Sequence, residues 1–235
     1  MKSKKWLLII LAVVVIAAAA AIIIINFDRS GGSGAVPPEG GPVPSEAVSI
    51  DASAGGLTLV SVDPIAGIYV EDGSDEPLSD IFTATFRNDG GKTLQYARLT
   101  LGIGDEQYTF EISTLPVGES VRAMERERSE FPEISGDLTL SAESIAWFDP
   151  EPSLCESSIS ITPRAGALVI ENVSGEALAA PIYVYYKNYV DGVYVGGITY
   201  RGGTQAELAP GEAIAVNAGH FDPDASRLMF VTLAP

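Results

Sequence analysis

A single histidine, a single cysteine and a crowd of tyrosines set the chemical limits of this 235-residue chain. A Ser/His/Asp or Cys/His site needs a histidine placed as general base. The sole candidate, His220, lies in Ala218-Gly-His-Phe-Asp-Pro-Asp224, a turn-forming run ahead of the last strand, and is expected on a loop surface. Zinc has no second histidine and no cysteine cluster to bind it. Cys155 is expected as a small core or edge residue. Carboxylates are plentiful, with Glu71, Asp72, Asp75 and Glu76 in one loop and Asp222 with Asp224 in another. Calcium requires several oxygens on a bent loop, and Asp72-Gly-Ser-Asp-Glu76 matches no twelve-residue calcium loop. Both groups therefore read as solvated turns, and nothing places a carboxylate pair in an aromatic-walled cleft of the glycosidase kind. The expectation is a chain with no catalytic residue, no cofactor and no metal: not an enzyme.

The tyrosines carry a binding expectation instead. Tyr183, Tyr185, Tyr186, Tyr189, Tyr194 and Tyr200 fall within one stretch of alternating pattern. Successive side chains of a strand point to opposite faces, so Tyr183 and Tyr185 share one side and Tyr186 takes the other. One set must then be exposed or at an interface, where tyrosine binds at small entropic cost. Tyr183, Tyr185 and Tyr194 are the candidate ligand surface, with cross-strand aromatic packing on a solvent face as the alternative.

The elements around these residues begin with a membrane anchor. Residues 6–25 are an unbroken run of 20 apolar side chains after Lys2, Lys4 and Lys5. As a helix this run reaches about 30 Å, the thickness of a bilayer's hydrocarbon core. The lysines predict a cytoplasmic N-terminus and an extracytoplasmic remainder. A cleaved signal peptide is the competing reading, but Ala17 to Ala21 are followed by four isoleucines and no lipoprotein cysteine. No Asp or Glu precedes residue 27 and three of the 14 Lys and Arg do, so the exported part carries 31 acids against 11 bases. That excess of 20 negative charges argues against nucleic acid and anionic lipid surfaces as partners, since both are polyanions. A lone cysteine leaves the exported part held by packing rather than disulfides, as suits a bacterial envelope and domains of about 90 residues. Residues 26–47 form a Gly/Pro-rich linker, whose stretch from Asp28 to Ser45 spans roughly 25 Å if flexible.

From Val48 onward, short alternating runs predict antiparallel strands: Phe82, Ala84 and Phe86; Leu99, Leu101 and Ile103; Tyr108, Phe110 and Ile112. Asp191-Gly192 predicts a tight hairpin between Pro181–Asn188 and Gly192–Tyr200, both turn positions favouring positive φ. The chain also repeats itself. Phe86 to Leu94 aligns with Ile170 to Leu178, pairing Asn88 with Asn172, Gly91 with Gly175 and Leu94 with Leu178. Leu115-Pro-Val-Gly-Glu119 matches Leu208-Ala-Pro-Gly-Glu212, and Asp63-Pro64 is matched to Asp149-Pro150. The repeat decides one ambiguity: Glu119 to Glu130 has helical composition, but its counterpart alternates at Ile214 and Val216, so a strand with Val121 and Ala123 inward is expected. The expected architecture is all-β, two tandem immunoglobulin-like β-sandwich domains of about seven strands each at 48–142 and 143–235, after one N-terminal transmembrane helix. With no Gly/Pro linker at 141–148, the domains are expected to abut stiffly, Trp147 and Phe148 near the joint and backbone hydrogen bonds on both sides of its strands.

The second copy resembles the FxLYD-type domains, small immunoglobulin-like modules of anchored bacterial envelope proteins. The resemblance rests on Glu171-Asn172-Val-Ser-Gly175, the strand Tyr183-Val-Tyr-Tyr-Lys187, Asp191-Gly192 and Leu208-Ala-Pro-Gly-Glu212. Tyr183 stands for the motif's Phe, Tyr185 for its Leu and Lys187 for its Asp; the first copy keeps the Asn/Gly turn and Leu115-Pro-Val-Gly-Glu119. What the resemblance implies is a fold and an envelope location, with no active residues carried over. The expected function is a non-catalytic binding or adhesion module on a single-pass cell-membrane anchor, with a protein or envelope polymer as ligand. The alternative is an accessory subunit of a membrane complex, recruited through small-residue packing along Ala17 to Ala21.

Overall fold

The computed structural model describes residues 52–68, 77–134 and 136–234, with strands, turns and bends but no helix among them. The expected anchor, the linker and the acidic loop 71–76 lie outside the described residues. Among the described residues no helix is long and apolar enough to cross a membrane.

The first sequence copy supplies β1 (Ser53–Ala54), β2 (Leu57–Ile68), β3 (Pro77–Asn88), β4 (Leu94–Ile103), β5 (Glu106–Leu115), β6 (Ser120–Met124) and β7 (Leu138–Trp147). The second supplies β8 (Ile159–Arg164), β9 (Ala167–Asn172), β10 (Ile182–Val190), β11 (Val193–Thr204), β12 (Ala213–Asn217) and β13 (Ser226–Thr232). In the first copy β1-β2-β3-β6 face β5-β4-β7, and in the second β8-β9-β12 face β11-β10-β13. Strand for strand, β2 to β7 correspond to β8 to β13. Each sheet pair closes on its own apolar core: Phe82, Phe86, Leu99 and Phe110 lie in the first, Leu168, Ile170, Val184 and Tyr186 in the second. The all-β expectation is met.

The local alternation does what it predicts at most positions. Phe82, Ala84 and Phe86 are buried, as are Leu99, Leu101, Ile103, Phe110 and Ile112. Thr83 and Thr85 are buried as well, because β3 is a central strand flanked by β2 and β6; the Thr83 hydroxyl donates to the Asp63 carbonyl at 2.7 Å. The helix-like stretch is strand at Ser120–Met124, with Val121 and Ala123 inward. Its charged continuation is wound around Glu125, whose buried carboxylate accepts the backbone N–H groups of Thr109, Glu127 and Ser129.

The repeat is real at the level of single hydrogen bonds. The buried Asn88 amide donates to the carbonyls of Lys92 (3.0 Å) and Leu115 (2.8 Å) and accepts Gly90 N–H. The buried Asn172 amide donates to Glu176 and Leu208 (both 2.8 Å) and accepts Ser174 N–H. Gly118 and Glu119 bracket the Asn88 backbone as Gly211 and Glu212 bracket that of Asn172. Each asparagine therefore ties a turn and the loop before β6 or β12 to one strand end, which is why these landmarks recur. The third landmark does not hold. Asp63-Pro64 sits within β2, opposite Thr83 and Phe82, whereas Asp149-Pro150 lies in the bend after β7. Two Asp-Pro pairs at similar spacing are a coincidence of composition, since the true counterpart of β2 is β8.

Two further expectations change at the joint. The boundary expected at residues 142/143 falls inside β7, which pairs with β4 from Leu138 to Trp147. This strand is hydrogen-bonded on one side along its length, since β7 is the edge of its three-stranded sheet. The copies do not meet end to end either. β6 and β11 pair in parallel through Val121 with Tyr194 and Arg122 with Val195, merging four strands of the first copy and three of the second into one seven-stranded sheet.

Candidate functional site

The tyrosine-rich hairpin forms as the sequence requires. Asp191 and Gly192 take φ of 51° and 84°, a turn whose twist matches that of the flanking strands. Tyr186 faces the second core, in contact with Phe221 and Tyr200. Tyr183, Tyr185, Lys187 and Tyr189 follow at alternate positions and so share the opposite face.

That opposite face runs from solvent into the first copy. At its outer end Tyr183 is half-buried, with the Arg201 guanidinium 4.4 Å over its ring and Gln205 Nε2 donating to its hydroxyl at 2.8 Å. Next, Tyr185 stacks on Phe230 with centroids 4.1 Å apart, and Phe148 meets Phe230 edge-on at 5.2 Å. Phe148 follows β7, so the first copy covers this part of the face. Then comes Lys187, wholly buried, its ammonium donating to the carbonyls of Ser113 (3.0 Å), Gly196 (2.9 Å) and Ile198 (2.9 Å). At the inner end Tyr189 packs against the first core, and Tyr194 belongs to that core at 8% exposure.

The three residues expected to form one ligand surface are thus divided. Tyr183 and Tyr185 lie on the outer part of the face, each with a ring surface already covered by Arg201 or Phe230. Tyr194 is a core residue of the other copy, and burial pushes its hydroxyl up to about 12. The inner part of this tyrosine face lies against the first copy, an internal interface rather than a surface for a ligand.

Lys187 and its acceptors escaped the sequence reading. The signals were a lysine inside an apolar, aromatic strand and the pair Gly196-Gly197 in the strand opposite, which marks a bulge or close backbone approach. The register shift between Tyr186 and Asn188 confirms the bulge in β11. A Cβ on Gly197 would lie 1.9 Å from the Glu111 carbonyl oxygen, so only glycine lets β11 lie this close to β5.

The remaining candidates stay apart. His220 is in the loop before β13, as expected, stacked on Tyr200 at 4.9 Å. Cys155 is partly buried against the second core, with φ of 54°. Asp222 caps its own turn by accepting Asp224 N–H. A groove of about 820 Å³ beside the β4–β5 turn is lined by Asp105, Glu106, Glu130 and Glu133 together with Tyr108 and Phe131. Tyr108 donates to the Glu106 carboxylate there, and this bond pushes the phenol up to about 12. Among the described residues no cluster of His, Cys, Asp or Glu has the arrangement of a metal site.

No protein-family model matches the chain, and no curated protein matches it. Among solved structures it is similar to the crystal structure of red sea bream transglutaminase, with 11% identity over 76% of this chain and 29% of that one. The TM-score of 0.18 is too low for this likeness to bear on fold or activity.

Proposed function

We infer that the chain is a single-pass, membrane-anchored extracytoplasmic protein whose two immunoglobulin-like domains form a non-catalytic binding or adhesion module at the cell envelope. The observation that carries this reading is where the buried polar groups go. Asn88, Asn172, Glu125 and Lys187 each bond to backbone groups of turns, loops or the joint between copies. Buried polar side chains used in this way fix a shape, which is what a presenting scaffold needs. The anchor, linker and resemblance to FxLYD-type modules support the location, and the large acidic excess supports a partner that is a protein or an uncharged envelope polymer. The proposed ligand surface centres on the half-buried Tyr183, with Arg201 and Gln205 beside it and the partly covered Tyr185 next to it; Tyr194 is no longer part of it.

The test is capture from solubilised envelopes and from purified wall polymer, with the full chain as bait and a double variant, Tyr183→Ser with Arg201→Ser, as control. Specific capture that the double variant loses, at unchanged thermal stability, supports the reading. Capture that survives moves the ligand surface elsewhere. Turnover of a small-molecule substrate by the purified chain would overturn the non-catalytic reading.

A further inference from the structure

Lys187 is an unusual residue to find without exposure. Taking an ammonium out of water is costly unless its donors are matched by acceptors. An ammonium has three N–H donors, and three backbone carbonyls converge on this one. Two of them, Gly196 and Ile198, belong to the bulge of β11 in its own copy, and the third, Ser113, belongs to β5 of the other. The same carbonyl of Ser113 accepts the Thr199 hydroxyl at 3.2 Å, and Ser113 Oγ lies 3.0 Å from the Gly197 carbonyl and 2.8 Å from Thr199 Oγ1. β5 is an edge strand of its sheet, so its outward carbonyls need a partner, and the second copy supplies one.

We propose that Lys187 is a strut that couples the two sheet pairs, so that two cores with separate memberships unfold as one cooperative unit. The geometry around it has no slack. Gly197 puts the two backbones in contact, the short parallel pairing of β6 with β11 prolongs the sheet across the joint, and Tyr194 enters the first core. A lysine stem crosses from one sheet pair to a carbonyl of the other, and a neutral amide has too few donors for three carbonyls. Removing the ammonium takes a donor from each of the three carbonyls on the surface that joins the copies and leaves Ser113 with the longer bond from Thr199.

The experiment is hydrogen exchange of the full chain, read separately on β4 for the first copy and β9 for the second. Leu168 is wholly buried in the second core. In the otherwise unaltered chain, Leu168→Ala is expected to accelerate exchange by about tenfold or more in both β9 and β4, because cooperative units open together. In a Lys187→Met background the same change accelerates β9 alone and leaves β4 as it was. Gly197→Ala, which wedges β11 and the Lys187 site it carries away from β5 and Ser113 without changing the Lys187 side chain or any core side chain, is the second background and decides whether that contact couples the copies if Lys187→Met does not fold. The proposal is overturned if Leu168→Ala in the unaltered chain leaves β4 exchange unchanged. It is equally overturned if the coupling persists in the folded variants.

Discussion

The β4–β5 and β10–β11 hairpins hold the same place in the two copies and do different things. β4–β5 turns at Gly104-Asp105 and sends Leu99, Leu101, Phe110 and Ile112 into its own core. β10–β11 turns at Asp191-Gly192 and divides its side chains, with Ile182, Val184 and Tyr186 in its own core and Tyr189 and Tyr194 against the other. The spacing from asparagine to its leucine acceptor shows the origin of the difference, 27 residues in the first copy and 36 in the second. The extra length makes a ribbon that outruns its own sheet pair and can be buried only by the neighbour. What the copies share, the asparagine and glycine turns, builds each sheet pair; what they do not share joins them.

The largest test of this comparison is Tyr194→Ser. If the second hairpin completes the first core, the change is expected to cost about 3–5 kcal/mol in denaturant unfolding, the range for emptying an aromatic site. A loss below about 1 kcal/mol would return Tyr194 to the surface and break the comparison. Next in size are Asn88→Ala and Asn172→Ala. Each takes one donor from two loop carbonyls and the acceptor from a turn N–H, with an expected cost of about 3 kcal/mol. The two costs should agree within about 1 kcal/mol, because both amides make the same three bonds to backbone groups and Asn172 adds only the Ser174 hydroxyl; a larger inequality would show that the turns are not equivalent in energy.

Alkaline titration separates the hairpins by cause. Tyr108 and Tyr194 are both held up at about 12, against an ordinary 10.0, the first mainly by its bond to Glu106 and the second mainly by burial. A group whose proton is held more tightly when folded contributes stability that is whole below the unfolded value and is lost as pH rises through the folded one. Stability should therefore fall between about pH 10 and about pH 12, and Tyr194→Phe should flatten that fall. An unaltered pH profile in Tyr194→Phe would mean that this phenol is not buried. The smallest effect belongs to the outer end of the same face. Tyr183→Ser gives up one cation–π contact and one exposed hydrogen bond and is expected to cost under about 1 kcal/mol, measured by thermal unfolding.

Much of the fold was legible because its signals are local. Phe82, Phe86, Leu101 and Phe110 alternate because a strand's period is two, and Asn88 and Asn172 recur because each satisfies the same turn. The repeat even overruled helical composition at Glu119 to Glu130. It failed at Asp63-Pro64 and Asp149-Pro150, where a dipeptide carries no partner information, and at residues 142/143, where one strand of exposed small residues reads like two. Alternation also determined which tyrosines share a face. Whether that face meets water was settled elsewhere, by Phe148, Ser113 and the first core, which lie tens of residues away in the chain. Lys187 is the clearest case: its charge is a property of the sequence, but its acceptors are backbone carbonyls, and Gly196-Gly197 marks a close approach without saying what approaches. Only the tertiary approach of β5 to the β11 bulge turns a surface-type side chain into the centre of the joint.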